Sequence, residues 1–81
     1  MGNTSSDTDV CDIAIKACLS EIGDRLERAR SISKAAQTCA EAGNIPKAIE
    51  IVLDLEQIVY ETTTFLNAAS MMNRIWNTDR P

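Results

Sequence analysis

Apolar residues recur along the first half of the chain at intervals of three or four. The series Cys11, Ile15, Cys18, Ile22, Leu26, Ala29, Ile32, Ala36, Cys39 never departs from that spacing. A period near 3.6 places all of these on one face of an α-helix, and the pattern predicts a helix over residues 9–42. Val10, Ile13, Ala14, Ala17 and Leu19 widen the stripe at its start, whereas Glu21, Asp24, Arg25, Glu27, Arg28, Arg30 and Lys34 fill the other positions further on. Glu21 with Arg25, and Asp24 with Arg28, stand one helical turn apart with the acid first, the favourable order. Gly23 is the weak point of this helix, a position for a slight bend or a close helix approach.

The pattern breaks once, at Ala42-Gly43-Asn44-Ile45-Pro46. Gly43 suits a left-handed helix cap. Asn44 suits the N-cap of a following helix, with Pro46 in its first turn where a missing amide hydrogen is harmless. A turn at 43–45 and a second helix over 46–77 follow.

That second helix carries two neighbouring stripes. One is Ile45, Ala48, Val52, Leu55, Val59, Thr62, Leu66, Ala69, and the other is Ile51, Leu55, Ile58, Thr62, Phe65, Ala69, Met72, Trp76. Together they are too wide for a single partner helix, so a second chain is expected to cover part of them. The subunit interface is assigned to Ile51, Leu55, Ile58, Phe65, Met72 and Trp76. Thr62-Thr63-Thr64 lowers intrinsic helix propensity and needs packing to remain helical.

The fold class is therefore all-α: an antiparallel two-helix hairpin dimerising into a four-helix bundle, with polar tails at 1–8 and 78–81. At ~1.5 Å per residue each arm is roughly 45–50 Å long, and so thin an object leaves one side of its apolar surface open.

Composition narrows the function classes. The chain has 81 residues, of which 44% are apolar but only 4% aromatic, a balance suited to packed helices. It contains no His, which removes the commonest general acid/base and the commonest metal ligand together. Carboxylates are plentiful, but none is flanked by a base, a phosphate-binding loop or metal-ligand spacing. No catalytic site, cofactor or metal is expected. Cys11, Cys18 and Cys39 are too few for a structural zinc site and read as reduced thiols in a cytoplasmic protein. No apolar run reaches the ~18 residues that would suggest a membrane span.

The net charge of −4 weighs against nucleic acid and anionic lipid. Two local features stand apart from it. Met1-Gly2-Asn3-Thr4-Ser5-Ser6 fits an N-myristoylation pattern, which would tether the chain through Gly2, although acidic residues follow where a basic cluster usually adds the second membrane signal. Arg25, Arg28, Arg30 and Lys34 form the only basic concentration.

Two resemblances attach to these residues. Ala40 to Glu50, with Gly43 and Ala48 at the small positions, resembles the turn inside a tetratricopeptide unit. The likeness covers about a dozen residues in a single copy and implies tight antiparallel packing at the turn, with no inherited function. The expected architecture is also similar to plasmid-copy-number regulators of the Rop kind, whose dimeric hairpin bundles bind RNA. That similarity implies Arg25, Arg28, Arg30 and Lys34 as the contact surface, but Glu21, Asp24 and Glu27 interleave with them here, and no aromatic platform accompanies them. The leading expectation is a non-catalytic protein-interaction module, a homodimer or a partner of another helical protein, serving as adaptor, chaperone or regulatory accessory.

Overall fold

The computed structural model describes residues 3–77, with side chains from 9 to 76. All its regular structure is helical: α1 spans Asn3–Glu41, α2 spans Ile45–Val52 and α3 spans Leu55–Asn77. No strand occurs among the described residues. α1 starts six residues before the expected position 9, inside the segment read as a polar tail; once a helix is nucleated, each added residue costs little.

The turn after α1 follows the reading of Gly43. Its φ is +90°, Asn44 N–H donates to the Cys39 carbonyl at 2.9 Å, and Gly43 N–H donates to the Ala40 carbonyl at 3.0 Å. These two bonds form a Schellman cap, which satisfies carbonyls that the end of α1 would otherwise leave unpaired. Asn44 then caps α2, its side-chain oxygen accepting from Lys47 N–H at 3.2 Å. The chain reverses here, and the second arm runs back along α1, so that Arg25 meets Glu61 and Cys11 meets Met72.

The second arm is not the single straight helix expected over 46–77. It bends at Leu53-Asp54, where Asp54 N–H donates to the Ile51 carbonyl at 3.2 Å and Glu56 N–H to the Leu53 carbonyl at 3.1 Å. Both bonds span three residues instead of four, so the backbone tightens for one turn as in a 3₁₀-helix. Asp is a poor residue inside a helix and a good one at its start, and Glu56 in the first turn of α3 complements the helix dipole. Asp54 was the sequence signal for this bend. The bend also resolves the doubled stripe, because α2 and α3 each turn their own part of it toward α1.

The seam between the arms is narrow. Its buried apolar residues are Cys11, Ala36, Ala48, Ile58 and Ala69, and only Ile58 is large. Cys18, Ile22, Ile32, Leu55, Phe65 and Met72 are half-buried around them. The radius of gyration is 18.5 Å, against about 12 Å for a compact domain of this length, and the chain measures 65 × 17 × 15 Å. Thr62 and Thr64 remain helical with their hydroxyls donating to the carbonyls of Ile58 and Tyr60, at 2.7 and 3.0 Å. Gly23 is exposed, and a Cβ there would meet nothing within 4 Å, so no close approach uses it within one chain.

Candidate interaction surface

Polar chemistry in the seam centres on Arg25. Its guanidinium bonds Glu21 one turn back, donates from Nε to Glu61 Oε1 at 3.1 Å, and lies 4.6 Å from the centre of the Phe65 ring. The hydrogen bond that Arg25 donates to the Glu21 carboxylate is the largest cause holding the Arg25 pKa above its ordinary value. Glu61 also accepts from Gln57 Nε2 at 3.0 Å. That bond first, and Arg25 second, hold the Glu61 carboxyl below the usual carboxylate range, against the opposing effect of desolvation.

Beside this cluster the bend opens a cleft of about 510 Å³, lined by Arg28 and Ile32 of α1 and by residues from Leu53 to Glu61 of the second arm. Its perturbed carboxylate is Glu61, and the shift favours the ionised form, the opposite of a general acid or base poised near neutral pH. Among the described residues no group of His, Cys, Asp and Glu is arranged to hold a metal ion.

The feature that dominates the surface is apolar. Thirteen large hydrophobic side chains among the described residues are substantially exposed. Leu19, Leu26 and Leu66 are each 55% exposed and Val59 58%. Each of them directly follows a residue of the seam: Leu19 follows Cys18, Leu26 follows Arg25, Val59 follows Ile58 and Leu66 follows Phe65. One residue turns a helix by about 100°. The two arms run in opposite directions, so the same rotation carries both sets to the same side of the rod. The cleft with Arg28 and Gln57 lies on the other side. In the register set by Cys11–Met72 and Arg25–Glu61, Leu19 is level with Leu66 and Leu26 with Val59.

Other exposed apolar residues lie toward the two ends of the rod. Val10, Ile13, Met71 and Ile75 surround the end remote from the turn, where Cys11, Met72 and Trp76 line a shallow apolar depression. On α2, Ile49 directly follows the buried Ala48 and so lies on the Leu66 side of the rod, with Ile45 and Leu53 one turn to either side of it.

The residues assigned to the subunit interface from sequence have a different placement. Ile58 is buried within the chain, Ile51, Leu55, Phe65 and Met72 are half-buried, and Trp76 remains 46% exposed. Their apolar surface is largely taken up by α1. Leu26, read as part of the α1 seam stripe, stands outside it, because Arg25 occupies the seam and is accommodated there by Glu21, Glu61 and the Phe65 ring.

The four basic residues do not share a face. Arg25 is drawn into the seam, Lys34 points about 180° away from it, and Arg28 and Arg30 are about 160° apart around α1. Gly2 lies outside the described residues. Cys11, Cys18 and Cys39 are free thiols, Cys11 buried with its Sγ 3.8 Å from the Met72 carbonyl oxygen. No helix among the described residues is long and apolar enough to cross a membrane. No known protein family, curated protein or solved structure matches the chain.

Proposed function

We propose that this protein is a non-catalytic protein-interaction module, a helical hairpin whose apolar surface is covered by another helical chain. The observation that carries the reading is the mismatch between a narrow core and a large exposed apolar surface. A compact folded monomer of 8.9 kDa exposes about 4,800 Å², whereas this chain exposes 6171 Å². Monomers rarely leave such a surface open unless it binds something. Three free thiols fit a reducing, cytoplasmic compartment.

The test is unfolding at several protein concentrations, followed by circular dichroism, with mass measured by light scattering. The reading expects folding to depend on association, so that Tm rises with concentration or the isolated chain lacks a cooperative transition. A monomer that unfolds cooperatively at a Tm independent of concentration refutes it.

A further inference from the structure

We infer that the covering chain is a second copy, packed through the Leu19–Leu26–Val59–Leu66 side with both turns at the same end of the bundle. This rests on the interaction-module reading and specifies its partner. If two copies together exposed only what a compact protein of twice the mass exposes, they would lose about 4,400 Å² in all, within the ~2,000–5,000 Å² of obligate homodimers.

The pattern along this side selects the partner. On α1 the positions one residue past the seam run from Asp12 to Ser33 in strict steps of four and three, and on the second arm they run from Val52 to Asn73 in the same steps. Within these series the apolar side chains recur every seven residues, Leu19 and Leu26 on α1 and Val52, Val59 and Leu66 on the second arm, the other positions being polar, charged or glycine. The two series are level with one another throughout. A twofold axis along the rod lays α1 of each copy on the second arm of the other, antiparallel and in register. Leu19 then meets Leu66 of the second copy and Leu26 meets Val59. Gly23, with open space around it, receives Thr63, and Arg30 meets Glu56. Within one chain the ion pairs join Arg25 to Glu21 and Glu61, and Lys47 to Glu50, so the charges of Arg30 and Glu56 are available to the second copy.

The other twofold arrangement, with turns at opposite ends, lays α1 on α1. It sets Lys16 against Arg30 of the second copy, twice by symmetry, and leaves Glu56 opposite Ser70. Exposed charges choose between such orientations more than they set affinity, and here they favour the turns together.

A charge-swap cycle tests this, read as the dimerisation constant from light scattering, with circular dichroism to show that each variant folds. Arg30→Glu and Glu56→Arg should each weaken dimerisation about tenfold by replacing attraction with repulsion at two symmetric contacts. The double variant should recover to within about threefold of the original, and Lys16→Glu should change little. A double variant weaker than either single one, or a Lys16→Glu variant that tightens the dimer, overturns the arrangement while leaving the interaction-module reading intact. An association-free chain without a cooperative transition overturns the second copy as the partner and leaves that reading standing. A cooperatively folded monomer removes both.

Discussion

Ile58 and Val59 are adjacent, both β-branched, and differ in which side of the rod they face: Ile58 is 4% exposed and Val59 58%. Replacing each with Ala separates packing within the chain from packing between chains. Ile58→Ala removes three carbons from the seam, worth ~2.4 kcal/mol at ~0.8 kcal/mol per buried methylene. The unfilled space adds to this, and the better helix propensity of Ala returns a few tenths, for a net cost of ~3 kcal/mol. With unfolding entropies near 2.1 cal/mol/K per residue and about 75 ordered residues, that is a fall in Tm of roughly 15–20 °C. Val59→Ala removes two carbons that the chain itself less than half covers, so its ~0.7 kcal/mol is nearly cancelled by propensity. Full cover by a second copy raises the cost to ~1 kcal/mol or more. The assay is thermal unfolding by circular dichroism at low and high protein concentration, with Gly23→Ala as a stabilised background if Ile58→Ala melts too low. An Ile58→Ala cost below ~1 kcal/mol refutes the seam as the main source of stability. A Val59→Ala cost equal to that of Ile58→Ala at every concentration refutes the assignment of sides.

Gly23→Ala should stabilise the isolated chain by ~1 kcal/mol, about 6 °C in Tm, because it removes a flexible residue from a helix interior where a Cβ meets nothing; a loss at high protein concentration alone would show that a second copy packs there. Asn44→Ala should cost ~1 kcal/mol in denaturant unfolding by removing the side chain that accepts from Lys47 N–H, while Asn44→Ser should largely retain the cap; equal losses from the two would show that the cap is not what Asn44 supplies. Glu61 binds its proton less tightly folded than unfolded, so its contribution is complete above the ordinary carboxylate pKa of about 4.3 and disappears as pH falls through its lowered folded value. Acid titration of stability should therefore be flatter in Glu61→Gln over that interval, and an unchanged slope would contradict the Gln57 and Arg25 contacts.

Local chemistry made much of this protein legible from its sequence. The three-four stripe gave helices because side chains recur on one face only at that period, and Gly43-Asn44-Ile45-Pro46 placed the reversal because a positive φ, a capping oxygen and a fixed proline φ each suit one position. The bend at Leu53-Asp54 had its own local signal in Asp54, overlooked because the apolar pattern continued through it. What each apolar residue packs against was decided only in three dimensions. A helix one residue out of phase turns a side chain by about 100°, so Leu26 and Arg25 are almost equally good candidates for a seam until Glu21, Glu61 and Phe65 assemble around the guanidinium. For the same reason Ile58 and Phe65, read from the sequence as the outward interface, lie in the seam, while the neighbouring Val59 and Leu66 remain open. Periodicity determines that a helix has an apolar face; the register of the opposing arm, fixed by contacts far apart in the chain, determines which part of that face is left for another molecule.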